Sequence, residues 1–340
     1  MAGVAQSEGK RLMGLRAVLI VWVAFAGLAG AETGSLGVVN KCPFPLQPAA
    51  QGETDYFFDK TYVRLGGRDL RYDIAMPAAP GKYPLLILLH GGGFVSGDKT
   101  AKFPESDLRM VAARGYVVAT LNYALAGPQA GEGPQSNFPQ AIKDLRCGVQ
   151  YFRAADDPQL TKIDTARIGV LGTSAGGHLA LLLGTAADET SFDDAACPYL
   201  GTSAEVQSVA AFYPSTRFMT IAADKWSDYG TVRKNSDFYK IFGKQPDQAE
   251  DLIAKGSPLY RVEQIEDGRT LPPMLLVNAG REVNQLLVDS VNAMEQVLIE
   301  KHLPHLKVTE PRARHGYDPF AAFPKSTCTV LNFFEKTLAN

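Results

Sequence analysis

The feature of this 340-residue chain best suited to covalent chemistry is a serine between two glycines, placed where a short apolar run gives way to a helical pattern. The stretch Arg167–Leu183 reads RIGVLGTSAGGHLALLL. Ile168 to Leu171 is apolar and too short for a helix, so it is expected as a buried strand. Gly172, Thr173 and Ser174 turn the chain. From Ala175 the spacing of Leu179, Leu182 and Leu183 predicts a helix facing a sheet. Ser174 thus sits in a Gly-x-Ser-x-Gly elbow, where only glycine leaves room for neighbouring backbone at positions 172 and 176. Such a turn lifts the hydroxyl clear of the sheet and directs the positive end of a helix at it.

A serine hydroxyl is a poor nucleophile until a base takes its proton. Of five histidines, His315 stands in Arg-His-Gly-Tyr between the last predicted strand and the last predicted helix, on a sheet-edge loop from which it could reach Ser174. His302 and His305 flank a helix-to-strand connection and are expected to be solvated. His178, four residues past the serine on the same helix, points away from the hydroxyl. The base needs an acceptor for its other ring nitrogen. In the chain order serine, acid, histidine, that acid falls on the loop after the strand Met274–Asn278. Glu282 is the only carboxylate on that loop; Asp289, inside the following helix, is the alternative. Acyl transfer also needs donors for an oxyanion. His90-Gly91-Gly92-Gly93 follows a buried strand and lets backbone N–H groups converge, and the N–H of Ala175 completes the set.

These residues require a scaffold of strands that end at one edge. Tyr56–Leu65 and Arg68–Met76 alternate and join at Gly66-Gly67, predicting a hairpin. Leu85–Leu89 is a solid apolar strand fit for a sheet buried on both faces. A helix over about 104–114, a strand over 116–122, a Gly/Pro-rich loop over 126–136 and a helix over 138–154 precede the elbow. Strands over 206–213, 274–278 and 306–310 follow it, with helices over about 286–301 and 320–338. This alternation predicts an α/β fold with a largely parallel sheet flanked by helices. The rhythm breaks over 214–255, where Phe218, Trp226, Tyr229, Phe238, Tyr239 and Phe242 mix with charges. That insertion is expected as a cap over the strand ends, where ligands bind in open α/β sheets.

An apolar fraction of 46% and a charged fraction of 21% are those of a globular protein. A net charge of −2 with scattered basic residues gives no electrostatic reason to expect nucleic acid. Lys10, Arg11 and Arg16 precede an apolar run, 17–28, too short to span a bilayer comfortably, so no stable membrane insertion is expected. The run ends in Ala29-Gly30-Ala31, which reads as a signal peptide over 1–31 and an exported, secreted or periplasmic product. A Pro-rich leader over 32–53 would precede an α/β domain over 54–340. Cys42, Cys147, Cys197 and Cys328 match no metal pattern and allow three pairings. Cys147 lies on the apolar face of a predicted helix and is expected as a buried free thiol.

LLHGGGFVSGD, Asn122-Tyr123-Ala124-Leu125, GTSAGGHLALL, SPLYRV followed by PPMLLVNAG, and the late His-Gly-Tyr together resemble the α/β-hydrolase superfamily. More narrowly they resemble its His-Gly-Gly-Gly carboxylesterases, the hormone-sensitive-lipase-like, acetyl-xylan and feruloyl esterases. The resemblance covers Tyr56 to the C-terminus. It implies an α/β-hydrolase fold, no cofactor and no metal. It also implies Ser174 as nucleophile, His315 as base, Gly92, Gly93 and Ala175 as oxyanion donors, and His90 as a brace of the glycine loop. The chain departs from that pattern in carrying Glu282 where aspartate is usual. Ala124 replaces an arginine, which removes an expected ion pair, and Phe94 replaces tryptophan. The implied activity is ester hydrolysis through an acyl-enzyme, on a small-molecule or polysaccharide-linked ester such as an acetyl or aryl ester of plant polysaccharide. Short-chain lipid esters and N-formyl amides are alternatives. A hydrolase-fold binding protein without chemistry is the alternative from another class.

Overall fold

The computed structural model describes residues 50, 52–127, 137–218, 237–266, 268–320 and 323–339. Eight strands form one sheet: β1 (Thr54–Leu65), β2 (Arg68–Pro77), β3 (Tyr83–Leu89), β4 (Val117–Leu121), β5 (Ile163–Thr173), β6 (Ser208–Phe212), β7 (Met274–Ala279) and β8 (His305–Glu310). Their spatial order is β1-β2-β4-β3-β5-β6-β7-β8. The β1–β2 hairpin and the β2–β4 pair are antiparallel, and every pair from β4 to β8 is parallel.

The parallel strands read as continuous apolar runs because both faces are covered. In β3, Leu85, Ile87 and Leu89 enter the core under the helices Gln140–Ala154, Ala175–Thr185 and Gln285–Glu300. Leu86 and Leu88 enter the opposite layer, with Leu108 and Val111 of the Glu105–Ala112 helix and Leu331 and Phe334 of the Pro324–Thr337 helix. A strand buried on both faces has no polar side to show, which is why periodicity alone gave β3 as a solid run.

β5 is longer than its apolar run suggests. It begins at Ile163, and the part-exposed stretch Asp164 to Arg167 precedes the apolar half, with a register shift between Pro84 and Leu85 on the neighbouring strand. The parallel register brings the ends of β3 and β5 together, Leu89 opposite Gly172, and sets Thr173 opposite Phe212 of β6.

The expectation for Cys147 is corrected. It is bonded to Cys197, with Cα atoms 5.9 Å apart. The segment carrying Cys197 runs beside the Gln140–Ala154 helix, where Arg146 pairs with Asp193 and Gln150 donates to the Thr202 carbonyl. This proximity, invisible in a helical periodicity, turns a buried thiol into half of a bridge. Cys328 is disulfide-bonded as well. Cys42 lies outside the described residues, as do the expected signal peptide, most of the expected leader, and Trp226 and Tyr229 of the expected cap. In the rest of 214–255, short helices span Asp237–Phe242 and Glu250–Lys255. Phe218, Phe138 and Phe242 pack ring against ring beside them. Among the described residues no helix is long and apolar enough to cross a membrane.

Candidate active site

Ser174 occupies the turn between β5 and the Ala175–Thr185 helix at φ 53° and ψ −118°, a backbone conformation that L side chains rarely adopt. Two hydrogen bonds hold it there. Its N–H donates to the Phe212 carbonyl at 2.9 Å, and its carbonyl accepts from the His178 N–H at 3.0 Å. Strain at a functional residue persists only when the surroundings fix it, and here two strands and a helix do so.

The Ser174 hydroxyl lies 2.9 Å from Nε2 of His315. On the other side of that imidazole, Nδ1 lies 2.6 Å from Oε2 of Glu282. His315 is 35% exposed at its side chain and Glu282 only 4%, so the pair runs from the cleft inward. The second Glu282 oxygen accepts the Asn284 N–H at 3.0 Å, which fixes the carboxylate on its loop. Asp289 is elsewhere: exposed on its helix, it accepts from the Gln285 side-chain amide at 2.8 Å. The loops carrying acid and base are tied by backbone bonds, Gly280 N–H to the Glu310 carbonyl and Arg281 N–H to the Ala313 carbonyl, both at 2.8 Å.

The glycine loop lines the same cleft of about 390 Å³ as Ser174 and His315. Gly92 has φ 126°, and a Cβ there would fall 1.8 Å from the Ser96 carbonyl oxygen, so the turn admits no side chain. That turn closes with Val95 and Ser96 N–H donating back to the Gly92 carbonyl. Among the described residues, no hydrogen bond outside the regular elements uses the N–H of Gly92 or Gly93. Ala175 is the first residue of its helix, where N–H groups have no partner within the helix.

His90 is buried below the loop. Its Nδ1 lies 2.7 Å from the Gly91 carbonyl oxygen, and Tyr123 stacks on its ring at 4.5 Å while donating to the His90 carbonyl at 2.7 Å. Burial lowers the His90 imidazole from its ordinary value. His178 is buried away from the cleft, its ring nitrogens facing the carbonyl oxygens of Ser215 and Gly256 at 2.8 and 2.7 Å. Burial pushes it down to about 4, so it is neutral at neutral pH. Phe94 packs edge-on against it at 5.3 Å. His302 is exposed as expected. His305 is not: it opens β8 half-buried, with Nδ1 2.8 Å from the Leu303 carbonyl oxygen, because the strand starts one residue earlier than its apolar run.

The brace that Ala124 cannot supply through a side chain comes through its backbone. The Ala124 N–H donates to Asp144 at 2.9 Å, and Asp144 in turn is held by both terminal nitrogens of Arg68 on β2. Two cleft residues carried no sequence signal. Tyr213, at φ 38°, packs its ring 4.8 Å from that of His315 and donates its hydroxyl to the Tyr317 carbonyl at 2.5 Å. Lys102 lines the cleft and donates to the Gly316 carbonyl. Among the described residues no group of three or more metal-ligating side chains gathers.

A largely parallel eight-stranded sheet between two helical layers, with a strained serine at a strand-to-helix turn, is the α/β-hydrolase fold. Within it, residues 72–288 match the model of the BD-FAE family, and the chain belongs to that family. It is 26% identical over 249 residues to Esterase LipC of Mycobacterium tuberculosis (strain ATCC 25618 / H37Rv), covering 72% of this chain and 55% of LipC. The chain thus spans about half the length of that curated relative. A truncated form of a carbohydrate esterase from gut microbiota shares the fold with a TM-score of 0.67 at 17% identity, over 86% of this chain and 99% of that one. A bifunctional GH43-CE protein of Bacteroides eggerthii does so with a TM-score of 0.65 at 20% identity, over 84% of this chain and 38% of that one.

Proposed function

We propose that this chain is an exported serine carboxylesterase, with Ser174 as nucleophile, His315 as base and Glu282 as the acid that orients it. The observation that carries the reading is the unbroken line of contacts from the Ser174 hydroxyl through both nitrogens of His315 to Glu282. In that reading His315 Nε2 takes the Ser174 proton as Oγ attacks the ester carbonyl carbon. The oxyanion so formed is met by the N–H groups of Gly92, Gly93 and Ala175. Collapse breaks the bond to the alcohol oxygen, which leaves with the proton held by His315. Water then attacks the acyl-enzyme, gives its proton to His315, and the acid departs as Ser174 regains a proton. Glu282 accepts the Nδ1–H throughout and keeps the tautomer that leaves Nε2 free to act.

Ester hydrolysis is supported by the family and by LipC, an esterase by name. The substrate in this reading is an acetyl or aryl ester on plant polysaccharide, and a structural neighbour named as a carbohydrate esterase accords with a glycan-linked ester. The bonds at Cys147 and Cys328 favour export, because disulfides persist in oxidising compartments. A binding protein without chemistry would have no need to hold Ser174 in a strained conformation against a histidine backed by a buried carboxylate.

A burst of p-nitrophenol from p-nitrophenyl acetate, lost in Ser174→Ala, tests the reading. Labelling by a fluorophosphonate probe should fall on the peptide that contains Ser174. Labelling on another peptide, or no burst from folded protein, sinks it.

A further inference from the structure

The cleft holds a cation that nothing in the proposed mechanism uses. Lys99 and Lys102 stand three residues apart on the short helix Lys99–Lys102 that follows the glycine loop, yet they are spent differently. Lys99 is buried and committed, its ammonium 3.4 Å from Asp59 and 3.3 Å from Asp73. Lys102 lines the cleft with Ser174 and His315, and its one described partner is a neutral oxygen, the Gly316 carbonyl. An ammonium has three N–H donors, so two remain.

The neighbouring charges do not neutralise it. Among the described residues no carboxylate lies within ion-pair distance of Lys102. The acids at this edge are engaged: Glu282 with His315 and the Asn284 N–H, Asp98 with Thr100 and Asn122. Asp318 accepts the Phe320 N–H. Arg281 and Arg314, exposed beside Glu282 and His315 on the two loops joined by the Arg281 N–H to Ala313 bond, form no ion pair among the described residues. Of these cations Lys102 alone lines the cleft, and an ammonium there draws in an anion rather than a polycation.

The side of the scissile bond follows from the mechanism. His315 hands its proton to the departing alcohol, so groups beside the His315 loop face the alcohol portion of the ester. Lys102 reaches Gly316, the residue after the base.

We propose that the site prefers esters whose alcohol portion carries a carboxylate, of the uronate-bearing glycan kind, and that Lys102 is the specificity-determining residue that meets that charge. This deepens the esterase reading and rests on it. A surface cation attracts an anion at a distance set by salt, whereas a cleft ammonium within hydrogen-bond reach gains a charge-assisted bond as well.

The test compares two acetyl esters that differ only in one group: methyl galacturonoside monoacetate, with a carboxylate, and methyl galactoside monoacetate, with a hydroxymethyl. The expected result at low salt is a kcat/KM about 10-fold higher for the uronate ester, the scale of one charge-assisted contact. That preference should shrink in about 0.5 M salt, where screening acts within a few ångströms. Lys102→Met should cut the preference by about the same factor, mostly through KM, and Lys102→Arg should keep most of it. Equal kcat/KM for the two esters overturns the proposal. So does Lys102→Met lowering both esters alike, which would make Lys102 only a tether for the His315 loop. Wild-type turnover of p-nitrophenyl acetate is measured alongside: its absence counts against the esterase reading, and its presence with no uronate preference counts against this one alone.

Discussion

Gly172 and Gly176 face each other across the elbow so closely that a Cβ on Gly172 would stand 2.0 Å from the Gly176 carbonyl oxygen. Gly176 is confined by a different neighbour, since a Cβ there would stand 2.3 Å from the Leu89 carbonyl oxygen at the end of β3. Both obstacles are backbone, which cannot swing aside as a side chain could. The elbow therefore keeps its shape only while both positions lack a Cβ.

Gly172→Ala should accordingly move Ser174 away from His315 and lose nearly all esterase activity. The strain of one forced methyl in a close-packed site is about 1–3 kcal/mol, which should also lower the melting temperature. Thermal unfolding followed by circular dichroism, read beside p-nitrophenyl acetate turnover, checks both. A variant with wild-type turnover and melting would show that the turn tolerates a side chain and that the spacing carries no constraint.

Glu282 and Asp289 separate cleanly as candidates for the acid. Glu282 touches His315 and is nearly buried, while Asp289 is exposed and bonded to Gln285. Glu282→Gln keeps the volume but offers an amide where Nδ1–H needs an acceptor, and a loss in kcat of up to about 10⁴ is the scale for a misoriented imidazole. Asp289→Asn should stay near wild type. The reverse pattern in steady-state kinetics would move the acid to the start of the Gln285–Glu300 helix.

Local order made much of this site legible and long-range contact hid the rest. The elbow could be read because Gly172, Ser174 and Gly176 are neighbours in sequence, and Glu282 because it is the one carboxylate on its loop. Its extra methylene relative to aspartate still leaves Oε2 2.6 Å from His315. Tyr213 gave no signal, since a lone tyrosine at a strand end reads as core. Its part depends on the Tyr317 carbonyl, over a hundred residues away. The Cys147–Cys197 bond was hidden for the same reason. The start of β5 was hidden differently: Asp164, Thr165 and Arg167 are polar where the strand leaves the double-sided core.

Asp107 gives a pH dependence of stability. It is buried on the Glu105–Ala112 helix with one carboxylate oxygen unpartnered. Burial, with a smaller push from the Asp318 charge, raises it to about 7, against a slight lowering from the Ser106 hydroxyl. Because the folded value lies above the unfolded one, the native state holds more protons between about pH 4 and pH 7. The stability from a protonated Asp107 is thus full below about pH 4 and is lost as pH rises through about 7. Asp107→Asn, which stays neutral, should melt higher than wild type at pH 8 and close to wild type at pH 4.5. A melting difference that does not change between these two pH values would remove Asp107 from the account.

The Cys147–Cys197 bond closes a loop with a sequence separation of 50 between the Gln140–Ala154 helix and the segment beside it. A bridge over a loop of that length stabilises chiefly by restricting the unfolded chain, by about 2–4 kcal/mol. Replacing both cysteines with alanine removes the bond, while the Gln150 side-chain amide keeps its bond to the Thr202 carbonyl. The double variant should melt several degrees lower, while its turnover per folded molecule is kept, because neither sulfur lines the cleft. Reduction of the wild type under mild denaturant also opens the bond at Cys328, so its shift should be at least as large. If the double variant and the reduced wild type both melt with the oxidised protein, the bond adds no stability. The packing of Arg146 against Asp193 and of Gln150 against Thr202 would then hold that segment on the helix unaided.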